Sequence, residues 1–178
     1  MGINPHSKEW GILWDNLTRK FGDDDFGICA GDKKSYDYSV TVQFDRAVQD
    51  FFLRYSEEDM HEDLNYTFNN TIHSLHVIGQ YFFERSGGNC SGSFLTATFN
   101  SISNALMTLY WYFEGCIERG HDPFERAKRN LSLCAYGDDD LIFVRLGPQG
   151  DEWFNMQYLA EKFKTLDIVY TTATKGDV

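Results

Sequence analysis

The stretch that decides the fold is Leu131-Ser-Leu-Cys-Ala-Tyr136, then Gly137-Asp138-Asp139-Asp140, then Leu141-Ile-Phe-Val-Arg-Leu146. Two apolar runs of strand length separated only by turn formers predict a β-hairpin with a tight acidic turn. A Gly-Asp turn needs no functional explanation, because both residues suit turn backbone geometry. Three successive aspartates do, because like charges crowded on a turn repel one another unless solvent or a cation relieves them.

Working outward, Phe26, Ile28 and Ala30 alternate toward Asp32, which predicts a strand that delivers Asp32 at its end on the same face. Before it, residues 7–20 read as a short helix opened by Ser7, with Trp10, Leu13, Trp14 and Leu17 at helical spacing. Phe44, Ala47, Val48, Phe51, Phe52 and Tyr55 recur at three and four residues, as an amphipathic helix requires. A second helix is expected from about Glu57, with residues 76–83 either a strand or the tail of that helix. From Leu95 the positions Phe99, Ile102, Leu106, Leu109, Phe113 and Ile117 predict a long helix with one core-facing stripe. After the hairpin, residues 151–166 form a helix with Phe154, Tyr158, Leu159 and Phe163 inward, and residues 168–171 return as a short strand. This order predicts an α+β fold, a small sheet of antiparallel strands with helices on one face.

The 178 residues suffice for one domain or a piece of a larger one, and 42% hydrophobic with 24% charged content excludes disordered and low-complexity classes. No run approaches the ~18 apolar residues of a membrane span, and the N-terminus lacks a signal-peptide layout. Cys29, Cys90, Cys116 and Cys134 show no CxxC pairing and sit mostly in apolar stretches, which points to reduced thiols in a reducing compartment. A formal net charge of −11 argues by itself against a phosphate-binding surface.

Two groups of residues besides the acidic turn carry chemistry, and one acidic cluster does not. Residues 23–25 are all aspartate but lie in a polar loop after Arg19-Lys20, and are read as solvated surface. Asp32 and Asp37, with four residues between them, close an apolar strand; Asp37 also suits a helix cap. Asp32 beside Asp138 would offer the hard carboxylate oxygens that a pair of Mg²⁺ ions takes. Residues 87–92, rich in glycine, lead into the long helix, where Thr96 and Asn100 share one row away from the apolar stripe. Hydroxyl and amide groups in one row suit hydrogen bonding to a ribose hydroxyl.

Taken in series, these groups resemble motifs A to D in the palm of viral RNA-dependent RNA polymerases, most closely those of picorna-like positive-strand viruses. Motif A, an aspartate followed five residues later by another, is similar to Asp32 and Asp37. Motif B, SGxxxTxxxNS, is matched by Ser91-Gly92, Thr96 and Asn100-Ser101, and motif C, YGDD between two strands, by Tyr136-Gly137-Asp138-Asp139. Gly2-Ile3-Asn4-Pro5 with Ser7 and Trp10 looks like the segment ahead of motif A, and Tyr170 to Asp177 like the end of motif D, with Lys175 at its lysine. Two positions depart from the pattern: Cys90 stands where motif B usually has proline, and Lys33-Lys34 where motif A has small or aromatic residues.

The resemblance implies a right-hand polymerase palm with part of the fingers inserted at about residues 38–90, the full fingers and the thumb lying outside the chain. It implies RNA-templated transfer of NTPs onto an RNA 3′-hydroxyl by two-metal chemistry in viral genome replication. Asp32, Asp138 and Asp139 would hold Mg²⁺, with Mn²⁺ an alternative. Asp37, Ser91, Gly92, Thr96 and Asn100 would bind the incoming nucleotide, and Lys175 would protonate pyrophosphate. Partners would be RNA template and primer, NTPs and the remaining fingers and thumb of a polyprotein-derived polymerase. The setting would be host cytoplasm, in membrane-associated replication complexes. The basic channel walls would then lie elsewhere, which answers the objection from net charge. A reverse-transcriptase palm is the nearest rival, opposed by Asp37 and Asn100, since a DNA-making site needs bulk there to exclude the 2′-hydroxyl. An inert acidic metal-binding fragment is the other; a calcium loop is opposed by the absence of EF-hand spacing.

Overall fold

The computed structural model describes residues 7–89 and 95–172. In chain order it forms α1 (Glu9–Thr18), a 3₁₀ turn (Arg19–Phe21), β1 (Phe26–Lys34), α2 (Tyr36–Ser39), α3 (Val42–Tyr55), a second 3₁₀ turn (Glu58–Met60) and α4 (His61–Ile72). β2 (His73–Ile78), β3 (Tyr81–Ser86), α5 (Thr96–Glu118), α6 (Pro123–Asn130), β4 (Leu131–Tyr136), β5 (Asp139–Arg145), α7 (Met156–Lys164) and β6 (Val169–Thr172) follow. The expected antiparallel sheet has the order β4-β5-β1-β6, and β2-β3 is a separate two-stranded hairpin.

The acidic hairpin is tighter than its sequence suggests. Tyr136 pairs with Asp139, so the turn itself is only Gly137 and Asp138, and Asp139 and Asp140 already belong to β5. Gly137 supplies the positive φ of 62° that the first position of so short a turn demands. Because strand side chains alternate, Asp139 and Asp140 leave opposite faces of the sheet.

The same alternation divides β1. Ile28, Ala30 and Asp32 do share a face, as expected, but that face is the more open one, with Ile28 47% exposed. The buried face is Cys29, Gly31 and Lys33, whose partners on β5 include Ile142 and Asp140. That face packs against α5 and α7 in the main core, which gathers Met107, Trp111, Tyr112, Ile142, Phe154 and Phe163. On the other face Phe26 and Phe143 meet Trp14 of α1, with ring centroids 6.1 and 5.4 Å from Trp14.

A second, smaller core of Val48, Phe68, Ile72 and Phe99 lies between α3, α4 and α5. The single stripe expected on α5 is therefore divided between two cores. Phe99, Ile102 and Leu106 serve the small one, Met107, Trp111, Tyr112 and Cys116 serve the sheet, and Ile117 is exposed. Likewise on α3, Val48 is buried and Phe52 packs beside it, while Phe51 and Tyr55 face outward and Asp45 and Gln49 are buried instead. Residues 76–83 are hairpin rather than helix tail, reversing at Gly79. α6 was not expected, although Asp122 caps it by accepting from the amides of Phe124 and Glu125 at 2.9 and 3.0 Å with Pro123 in the first turn.

Gly31 is where two strands depend on one absent side chain. The ring of Tyr170, on β6, lies across β1 at Gly31, and a Cβ there would stand 2.1 Å from its Cζ and hydroxyl. The ring cannot swing clear, because it is buried against Phe163 and its hydroxyl donates to Asp140 Oδ1 at 2.6 Å. Gly31→Ala should therefore destabilise the fold by about 1–3 kcal/mol, an overpacking cost, and pairing it with Tyr170→Leu should recover part of that loss in urea denaturation.

Candidate active site

At the end of β1 the chain reverses through Ser35, held in the left-handed region at φ 58°, and enters α2, whose first turn carries Asp37. This short reversal aims Asp37 into a cleft of about 510 Å³ that is also lined by Thr96, Asn100, Tyr136, Asp138 and Asp139. The cleft thus joins three segments far apart in sequence. Asn100, 3% exposed, donates from Nδ2 to Asp37 Oδ1, while its own Oδ1 is buried without a partner. Asp32 lies on β1 one residue past Gly31, the partner of Asp140, and so on the same side of the sheet as Asp139.

These carboxylates act on one another. Partial burial raises the Asp139 carboxyl above its ordinary value, and the negative charges of Asp138, Asp32 and Asp140 raise it further. Crowding of that kind is what a divalent cation relieves, and the donors are the hard oxygens that Mg²⁺ or Mn²⁺ takes. The donor chemistry of Asp32, Asp138 and Asp139 suits such an ion, although Asp32 is not among the residues that line the cleft. Among the described residues, however, no three His, Cys, Asp or Glu side chains form a ready-made metal cage, so the cluster is open.

The backbone of the acidic turn is gripped by α5. The Gly137 amide donates to Ser101 Oγ at 2.8 Å, and Asn104 Nδ2 lies 3.1–3.2 Å from the carbonyls of Gly137, Asp138 and Asp139. Behind them Lys33, fully buried, donates to Asp140 Oδ2 and to Asn104 Oδ1. Burial pulls the Lys33 ammonium below the ordinary lysine value while Asp140, Asp138 and Asp139 pull it back. None of these holding contacts was expected from the sequence. Ser101 and Asn104 carry a readable signal, since they share a helical row with Asn100 and Ala97; Lys33 shows in the sequence only as a departure from motif A, because a lysine at a strand end ordinarily reads as solvated.

A family model described as viral RNA-dependent RNA polymerase matches residues 1–176. The chain belongs to that family. It is 27% identical over 190 residues to the replicase polyprotein of acute bee paralysis virus, covering 99% of this chain and 9% of that protein. It is 30% identical over 185 residues to the genome polyprotein of human hepatitis A virus genotype IA (99% and 8%), and 29% identical over 145 residues to the RNA1 polyprotein of Arabis mosaic virus (81% and 6%). The chain thus spans less than a tenth of the length of these relatives. Its α+β fold with a small antiparallel sheet is that of a polymerase palm-like fragment.

Of the motif positions that mark this polymerase family, Ser91, Gly92 and Lys175 lie outside the described residues. The approach to Ser91 is nevertheless fixed. The Gly88 amide donates to Asp45 Oδ2 at 2.7 Å, the Asn89 amide to the Asp37 carbonyl at 3.1 Å, and Arg85 to the same carbonyl. Gly88, at φ 72°, admits no side chain, since a Cβ would sit 2.2 Å from the Asp37 carbonyl oxygen. Residues 23–25 are exposed, as read from sequence, with Asp24 paired to Arg145. No helix among the described residues is long and apolar enough to cross a membrane.

Burial raises the Asp45 carboxyl to about 6, against the pull of the Gly88 amide, Arg85 and Arg46. A native value above the unfolded one means that Asp45's contribution is full below pH ~4 and is lost as pH rises through about 6. Asp45→Asn keeps an acceptor for Gly88 and removes the charge. It should flatten the stability–pH curve between pH 4 and 7 and raise stability at pH 7 by roughly 2–3 kcal/mol, read by denaturation at each pH.

Proposed function

We propose that this chain is the catalytic palm segment of a viral polymerase that copies RNA into RNA, transferring a nucleotide from an NTP to an RNA 3′-hydroxyl. The observation that carries the reading is the cleft itself, where the acidic turn of residues 136–139 faces Asp37 and the Asn100 amide bonded to it. Divalent cations held by Asp32, Asp138 and Asp139 would acidify the attacking hydroxyl and steady the charge of the triphosphate.

The chain's own residues then divide the remaining work. Asp37 accepts from Asn100 and so fixes the amide's orientation, which leaves Asn100 Oδ1 as an acceptor with nothing yet bound to it. A ribose 2′-hydroxyl is a donor of the right kind, reaching this buried oxygen once the cleft wall over it opens, and Thr96, four residues before Asn100 on α5, adds a hydroxyl beside it. Leaving Asn100 Oδ1 unpaired costs free energy, so the site favours a sugar that satisfies it over one that lacks the group. Ser91 and Gly92 as further nucleotide contacts, and Lys175 as the acid for pyrophosphate, rest on the motif resemblance alone.

Residues 38–90 fit a fingers-side insertion, because α3 and α4 build the smaller core and β2-β3 stays apart from the main sheet. RNA, NTPs and the rest of the polymerase polypeptide are the partners this reading requires. The test uses that whole polypeptide on a primed RNA template. Asp138→Asn should abolish NTP incorporation. Asn100→Ala should lower the preference for NTP over dNTP by ~10–100-fold, the worth of a hydrogen bond to a polar pair, with a smaller effect on NTP turnover. Equal loss with both sugars would remove Asn100 from sugar selection, and turnover unaffected by Asp138→Asn would sink the reading as a whole.

A further inference from the structure

We propose that Lys33 is a positioning residue for the acidic turn: through Asn104, its buried ammonium fixes the backbone that carries Asp138 and Asp139. The proposal rests on the polymerase reading for its functional consequence, but its structural content stands on contacts independent of it.

The argument turns on what each group can and cannot do. An ammonium only donates, and backbone carbonyls only accept. Lys33 lies on one side of Asn104 and the carbonyls of Gly137, Asp138 and Asp139 on the other. The Asn104 amide is the adapter between them. With Oδ1 taken by Lys33 at 2.7 Å, its NH₂ has to face the turn. Without a donor at Oδ1 the amide is held from the turn side alone, and its plane can tilt away from the three carbonyls and loosen the turn.

The rest of the Lys33 surroundings keeps the ammonium in place. Asp140 neutralises it and is itself held by the Tyr170 hydroxyl at 2.6 Å. The rings of Phe163 and Tyr170 lie with centroids 4.8 Å from Nζ. Stability alone does not explain such a pair, since a buried ion pair is commonly no better than an apolar core of the same volume. Its retention beneath a charged turn is explained if it orients something, and Asn104 is what it touches.

Two kinds of variant test this in the whole polymerase polypeptide. Lys33→Met/Asp140→Leu/Tyr170→Phe replaces the buried polar cluster by an apolar one. Expected are a melting temperature within a few degrees of the parent, amide hydrogen exchange at residues 137–139 faster by ~10-fold or more, and a rise of ~10–100-fold in the Mg²⁺ concentration that supports half-maximal incorporation. Asn104→Asp keeps the bond to Lys33 but puts an acceptor against the turn. It should show the same faster exchange with Lys33 in place, and combining it with the triple change should add nothing further. Parental exchange at residues 137–139 in either background, or additive effects in the combination, would overturn the proposal. A parent polypeptide that incorporates no nucleotide would instead count against the proposed function, and the exchange measurements would still decide the role of Lys33.

Discussion

Charge repulsion in a two-residue turn is the constraint around which this structure is organised. Asp138 and Asp139 stand side by side at the hairpin tip, and partial burial raises the Asp139 carboxyl, with the charges of Asp138 and of Asp32 on the next strand raising it further. Left to itself such a turn would splay. It is held by neutral and cationic groups that address its backbone and leave its carboxylates alone: Ser101 on the Gly137 amide, Asn104 on the three carbonyls, and Lys33 behind Asn104. This explains why the middle of α5 buries Asn104 where an ordinary core helix would bury leucine.

Strand alternation allows opposite charges to serve one site from two sides of a sheet. Asp32 and Asp139 leave one face, while their neighbours Lys33 and Asp140 leave the other, where α5 and α7 exclude water. The ammonium of Lys33 lowers the Asp139 carboxyl through the sheet by less than Asp140 raises it, and being buried behind the sheet it does not compete with a cation for the carboxylates. Gly31 is the geometric condition for this arrangement. Only a residue without Cβ lets Tyr170 cross β1 and reach Asp140 on β5.

What could be read in advance follows from which interactions are local. The hairpin, the order of elements and the row formed by Thr96 and Asn100 are written in short-range periodicity, and the structure brings Asp37, Thr96, Asn100, Asp138 and Asp139 to one cleft. The burial of α5 was misread as a single stripe because two cores share that helix, and the polar row between them has no counterpart in an amphipathic pattern. Phe51 and Tyr55 fit the α3 period and yet face outward, their ring centroids 4.9 Å apart and their planes tilted to each other, because periodicity cannot tell which of two adjacent rows meets a neighbour. The role of Lys33 was invisible for a stronger reason. Its meaning depends on Asp140, 107 residues away, and on a glycine that makes room for a tyrosine from a third strand.

The stretch from α3 to β3, between the two halves of the cleft, is not passive in this arrangement. Its last strand ends at Arg85 and Ser86, and the chain then passes through Gly87 and Gly88, both at positive φ, with the Gly87 amide bound to the Ile72 carbonyl. From there Gly88 and Asn89 are tied to Asp45 and to the Asp37 carbonyl, whose side chain holds Asn100. The backbone leading toward Ser91 and the Asp37–Asn100 pair are consequently one hydrogen-bonded unit, anchored on α3 by a carboxylate whose burial makes it sensitive to protonation near pH 6. A change in that anchor would move the start of the loop and the carbonyl of Asp37 together, while the acidic turn, gripped separately by α5, would stay where it is. The Asp37–Asn100 pair and the acidic turn are therefore mechanically separable although they line the same cleft.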